Sequence, residues 1–339
     1  PRRSGTYCDL GAVENAGAPP RTTLSLVVDS SLDARDAKPG DGVCLTAGLA
    51  CTLRAAVEET NTSPLTDTIT IAPGVDPTLS IPGTDSYVSG DLRIASPLVL
   101  HGGGATLDAG GIDRAIDLDV GVTIDDLTIA NGATTGDGGG LLNDVSATTL
   151  TLSNVSFTGN TAARGGAIWS ISGPLAVTGG TFTGNTATSG GGAITTQSNS
   201  GSTMSGVTFS GNTATGDGGA LNLGSGNISV TGSTFAGNTA ASGGAIATQS
   251  TTLNVATTRF TGNAAPQGGA VHQTSGTVTI ATSLLDANTA YSLSVQPLGG
   301  AVKQVSGTAT IVGSTLHDNR ALGPYSAGGG IASFGNMAV

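Results

Sequence analysis

The chain has 339 residues, of which only 10% are charged and 3% aromatic, with a formal net charge of −11. Its two lysines, Lys38 and Lys303, form no basic patch, which argues against nucleic acid and anionic membrane surfaces as partners. No run of about 20 apolar residues occurs, so no membrane insertion is expected in this stretch. A surface rich in Ser, Thr, Gly and Asn suits an extracellular or cell-surface protein better than a metabolic enzyme.

In chain order, residues 1–14 read as a terminal strand signature and 15–21 as a Gly/Ala/Pro linker. Residues 22–97 read as an N-terminal cap region, with a strand near Thr22 to Asp29 and one helix over 51–61. Leu53, Ala56, Val57 and Thr60 fall on one face of that helix, and Arg54, Glu58 and Glu59 on another. Cys44 and Cys51 bracket a short loop. In an exported protein they are expected to form a disulfide, worth on the order of 2–3 kcal/mol by loop entropy. Cys8 lacks an evident partner, and His101, His272 and His317 show no zinc-ligand spacing with the cysteines.

From 98 to 339 the chain repeats itself. Asn recurs at Asn131, Asn160, Asn185, Asn212, Asn238, Asn263, Asn288 and Asn319, in steps of 29, 25, 27, 26, 25, 25 and 31 residues. An apolar residue usually stands three positions earlier: Phe157, Phe182, Phe209, Phe235, Phe260, Leu285 and Leu316. A Gly-Gly pair and an aliphatic residue follow each Asn, with the first pair read as Gly139-Gly140 and the last as Gly329-Gly330. Between these phrases apolar and small polar residues alternate, as in Thr149-Leu150-Thr151-Leu152. Period-two strands within a repeat of this length predict a solenoid. The fold expected is all-β, a right-handed parallel β-helix with a short capping helix. The Asn column is expected to form a hydrogen-bonded ladder and the Phe/Leu column an internal stack, both structural.

Three segments resemble known proteins. Gly42-Val43-Cys44 with Cys51-Thr52-Leu53-Arg54-Ala55-Ala56-Val57 resembles the "CSLREA" start motif of bacterial exported repeat proteins. Phe157-Thr158-Gly159-Asn160 and Gly165-Gly166-Ala167-Ile168 resemble the repeats of chlamydial polymorphic outer-membrane proteins. Cys8-Asp9-Leu10-Gly11-Ala12-Val13-Glu14 is similar to a signature that ends such β-helix domains. The resemblance implies export and a role in adhesion or as a surface stalk, and it supplies no catalytic residue.

The terminal signature precedes the start motif, and the repeat runs to Val339. This order suggests head-to-tail continuation of units through Tyr7, Cys8, Leu10 and Val13 at one end and Ile331, Met337 and Val339 at the other. The function expected is a stiff extracellular fibre, stalk or filament whose partner is itself. One alternative is an adhesin of the autotransporter-passenger type. It would touch a host or neighbouring cell surface through the long turns Ala290 to Leu298 and Leu322 to Ala327. A second alternative is a polysaccharide lyase or glycoside hydrolase. For that reading Asp117 and Asp119 share a strand face, with Asp125 on a nearby coil, and could hold calcium or work as acid and base. No catalytic residue and no cofactor is otherwise expected.

Overall fold

The computed structural model describes residues 22–83, 89–144 and 148–339. The terminal signature and linker, with Tyr7, Cys8, Leu10 and Val13, lie outside the described residues. The rest is a parallel β-solenoid with one helix among the described residues. Each coil repeats three short strands and an arch. One coil runs Ile168–Ser172 on the first face, Leu175–Thr178 on the second and Thr181–Thr183 on the third, then Thr186–Gly190 in the arch. The strands pair with their counterparts in the adjacent coils, parallel and in register on the three faces, with a bulge in the arch between Ala162 and Arg164. The first two faces belong to one sheet, joined by the long strands Leu221–Thr231 and Ile246–Ala256.

Alternation decides what enters the core. On the second face Leu152, Val177, Met204, Val230, Val255 and Ile280 point inward, one above another. On the third face the inward column runs Leu107, Ile129, Phe157, Phe182, Phe209, Phe235, Phe260, Leu285 and Leu316. The five Phe rings stack with centroids 4.7 to 5.0 Å apart. That spacing is the interstrand distance of a β-sheet, about 4.8 Å, so the rings follow the backbone without strain. Leu316 is the one partly exposed member of this set.

Beside this column lies the Asn ladder. Asn160, Asn185, Asn212, Asn238, Asn263 and Asn288 are fully buried. The Asn212 amide nitrogen donates to Asn238 Oδ1 (2.9 Å) and back to the Phe182 carbonyl (2.9 Å), and its backbone N–H also reaches Asn238 Oδ1 (3.0 Å). Its own Oδ1 accepts from the Asn185 backbone and side chain. Each side chain therefore uses both donors and both lone pairs and joins three coils. The last rung among the described residues is the partly exposed Asn319, which accepts from Asn288 and donates to the Leu285 carbonyl.

Asn131 does not belong to this ladder. Its place is taken by Gly132, whose N–H donates to Asn160 Oδ1 (2.8 Å), while Asn131 is exposed with φ +58° and bonds Asp108. The sequence reading was one residue early in that coil. The same slip affected the glycine pairs at either end, where the left-handed residues are Gly138 and Gly328. A central pair shows what the motif requires. Gly218 turns the corner at φ +71°, and a Cβ on Gly219 would lie 2.1 Å from the Gly244 carbonyl.

The cap region is continuous with the coils. Strand Ser25–Val28 stacks on Asp67–Ile71, which stacks on Leu98–His101, so coil stacking begins well before residue 98. Helix α1 spans Leu53–Thr60, with Thr52 as N-cap accepting from the Ala55 N–H. All eight helical residues are buried, including Arg54, Glu58 and Glu59 on the charged face. Glu58 accepts from Arg35 and the Asp36 N–H, Glu59 from the N–H groups of Gly40 and Gly42, and Arg54 pairs with Asp33. The loop between the first strand and α1 thus folds over the polar face. The Cys44–Cys51 disulfide closes within that loop, with Cα atoms 5.2 Å apart.

Replacing Asn238 by Ala would strand the donors of Asn212 and the Phe209 carbonyl inside the core. The expected loss is about 3–5 kcal/mol in equilibrium urea unfolding, whereas Asn131→Gly should stay within about 0.5 kcal/mol. Equal effects at the two positions would contradict the ladder as described.

Candidate functional site

The residue after the aliphatic position of each repeat faces outward on the first face. Stacking brings Trp169, Thr195, Asn222, Ala247, His272 and Lys303 into one axial row. The arch runs beside it and carries its own row, including Arg164, Asp217, Ser242 and Gln267. Between the two lies a groove of about 400 Å³ on the solenoid flank.

At one end the Arg164 guanidinium lies 4.0 Å over the Trp169 ring and grips Asp137 with two hydrogen bonds, of 2.8 and 2.5 Å. The Asp137 contact raises the Arg164 pKa further above its already high value. Trp169 is thereby buried, with no ring face open for stacking on a ligand. In the middle, Thr195 Oγ1 donates to the Gly190 carbonyl (2.7 Å), and the Asn222 amide lies against Gly190. A Cβ on Gly190 would come within 2.3 Å of that amide nitrogen, so glycine there makes room for Asn222. Asn222 Oδ1 is buried without a hydrogen-bond partner. Thr196, one residue past the outward Thr195, belongs to the inward row with Ser170, Leu223 and Thr248. Gly224 lies between Gln197 and Gln249 in the next outward row and leaves a notch one coil wide.

Farther along the row, His272 sits in register with Lys303, whose Nζ donates to Gln267. Burial pushes the His272 pKa down to about 4; Lys303 adds to the effect and Asp217 opposes it. Burial also lowers the Lys303 pKa.

The carboxylates singled out in the sequence do not converge. Asp117 stacks between Arg93 and Leu142 on the first face. Asp119 takes a two-point contact from Arg93, at 2.8 and 2.9 Å. Asp125 lies on the second face, against His101 Nδ1 at 2.7 Å. Asp117 and Asp119 are thus on a different face from Asp125, so the three do not form a shared calcium site. Among the described residues no group of three or more His, Cys, Asp or Glu side chains is placed to hold a metal ion. His317 joins Asp286 (2.9 Å) and Asp318 (3.5 Å) at the surface, where its pKa is raised chiefly by the Asp286 hydrogen bond. Ile331 and Met337 stack on Val302 and Ala309 in the last coil, and Val339 is exposed.

The groove residues escaped the sequence reading because they occupy the variable positions of the repeat. The signal was available: the residue after each post-glycine aliphatic is outward, and Trp169, Asn222, His272 and Lys303 are conspicuously larger than Ala247. A second ladder was also missed. The hydroxyls of Ser233, Thr258, Ser283 and Ser314 each accept a backbone N–H from the preceding coil, at 3.1 to 3.4 Å.

The neutral His272 makes a checkable contribution. Unfolded chain takes up this proton near pH 6.5, the folded protein only near 4. Stability from this group is therefore present above pH 6.5 and lost as pH falls toward 4, by up to about 3 kcal/mol. A His272→Gln variant should flatten the stability profile in that window, measured as unfolding midpoints against pH. An unchanged slope would show that His272 titrates normally.

A family profile described as a right-handed beta helix region matches residues 111–281. No curated protein and no solved structure matches the chain.

Proposed function

Because the chain belongs to the right-handed β-helix family, we propose that it serves as an extracellular structural element, a stiff segment of a surface stalk or filament. The observation that carries this reading is the unbroken Asn ladder from Asn160 to Asn319, running beside the stacked Phe column. Each coil from Asn160 to Asn288 is tied to both neighbours by backbone pairing and by a buried amide, so bending there would break several hydrogen bonds at once. The Cys44–Cys51 disulfide and the sparse surface charge support export to an oxidising compartment.

Adhesion is a second reading, and one observation favours it. The turns around Tyr291–Val295 and at Tyr325 expose Tyr291, Leu293, Val295 and Tyr325 together on the arch side. Gln296 donates to the Tyr325 carbonyl and Gln267 to the Gln296 carbonyl, which hold the two turns in place.

Immunogold electron microscopy of intact producing cells tests the structural reading. Label on extended projections outside the cell is the expected result, and an Asn212→Ala/Asn238→Ala variant should shorten or abolish them. Label confined to the cell interior would overturn it. Projections that persist in the variant, with cell attachment lost on trimming the Tyr291 and Tyr325 turns, would favour adhesion.

A further inference from the structure

We propose that the Lys303 amine and the Gln267 carboxamide join in an intramolecular isopeptide bond, which ties the arch to the first face one coil farther along the axis. This goes beyond the structural reading and does not depend on it. Gln267 closes the arch, bridged to Leu298, and Lys303 stands on the outward row of the first face. Lys303 Nζ donates to Gln267 Oε1, and Gln267 Nε2 donates to the Gln296 carbonyl (2.6 Å). Both ends of the carboxamide are thus held, with the amine against its carbonyl oxygen.

The surroundings suit an amine that acts as a nucleophile. Most surface lysines are hydrated point charges. Lys303 is half-buried and pairs with no carboxylate among the described residues. Burial lowers its pKa, which raises the share of free amine, and a desolvated lysine is an activated one. The adjoining side chain in the outward row is His272, one coil away, about 4.8 Å between backbones. Its Nε2 is buried without a hydrogen-bond partner. Its imidazole, with a pKa of about 4, is neutral at neutral pH and free to accept a proton; Lys303 and Asp217 are the charged groups that act on it.

The reaction closes without a co-reactant. The Nζ lone pair attacks Gln267 Cδ and forms the new C–N bond. His272 takes one proton from Nζ and passes it to Gln267 Nε2 as the bond from Cδ to Nε2 breaks. Ammonia leaves, and Nζ keeps one hydrogen as the N–H of a secondary amide. Nothing is oxidised or reduced.

A trypsin digest of the full chain, read by mass spectrometry, tests this directly, because Lys303 is the only lysine or arginine between Arg259 and Arg320. The expected product is one peptide spanning residues 260–320, lighter by one ammonia, with Gln267 and Lys303 joined in its fragment spectrum. Lys303→Arg, whose guanidinium stays charged, should restore full mass and cleavage after position 303. Gln267→Ala should likewise allow cleavage after Lys303. His272→Gln should slow the loss of ammonia by at least about tenfold, followed as the cross-linked fraction against time after synthesis. The wild-type digest decides the matter even if a variant fails to fold. Separate peptides 260–303 and 304–320 at full mass would overturn the proposal, as would ammonia lost from another residue with Lys303 still cleavable. Cross-linking at the wild-type rate in His272→Gln would overturn the proton route through His272.

Discussion

One axial period governs this molecule. Parallel strands hydrogen-bonded in register repeat about every 4.8 Å, and every inward column must accept that spacing. Flat rings can, and the Phe centroids sit 4.7 to 5.0 Å apart. A primary amide can too, because its oxygen and nitrogen reach in opposite directions along the axis. The second residue of each glycine pair meets a harsher form of the same rule, since a Cβ on Gly192, Gly219 or Gly244 would come within about 2.2 Å of the next coil's carbonyl. Length variation is forced into the turns. The step from Asn288 to Asn319 is six residues longer than the one before it, yet Leu285 still pairs with Leu316 and Val302 with Ile331.

The fold was legible because that rule writes the same residues into the chain again and again. It was less legible where one of the tokens changes. In the first copy of the repeat phrase Gly132 does the backbone part of the Asn role, while Asn131, one position earlier, serves a left-handed turn. Both residues suit that turn, so spacing alone pointed to the wrong one. The run Gly138-Gly139-Gly140 hid the corner for a similar reason, since a third glycine stands where other coils have Ala. The helix and its charged face were legible, but what Arg54, Glu58 and Glu59 pair with was not. Their partners are a carboxylate and backbone N–H groups from a loop with no periodicity of its own. Pairing of that kind is set by tertiary closure, which local pattern does not encode.

The cavity-lining residues pose the opposite problem. Inward rows are constrained by packing and come out alike from coil to coil. Outward rows are free, so their composition varies and no repeat announces it. The row Trp169, Thr195, Asn222, Ala247, His272 and Lys303 has six different side chains at one structural position. The paired surface carboxylates show why motif density misleads in such a fold. Six aspartates between Asp108 and Asp126 look like a cluster in sequence, but alternate faces and adjacent coils separate them, and Arg93 and His101 from earlier coils meet two of them.

The groove is made rigid by the same bonds as the core. The groove floor is carried by strands that the long pairing between Leu221–Thr231 and Ile246–Ala256 locks in register. Its wall is held by arch bridges from Asp137 to Arg164 and from Asp217 to Ser242. Side chains mounted this way lose little further freedom when a ligand arrives, and the unfavourable entropy of binding is smaller for each contact. On any outward row that packing leaves free, the separation of the side chains is thus set by the coil spacing, whatever their identity.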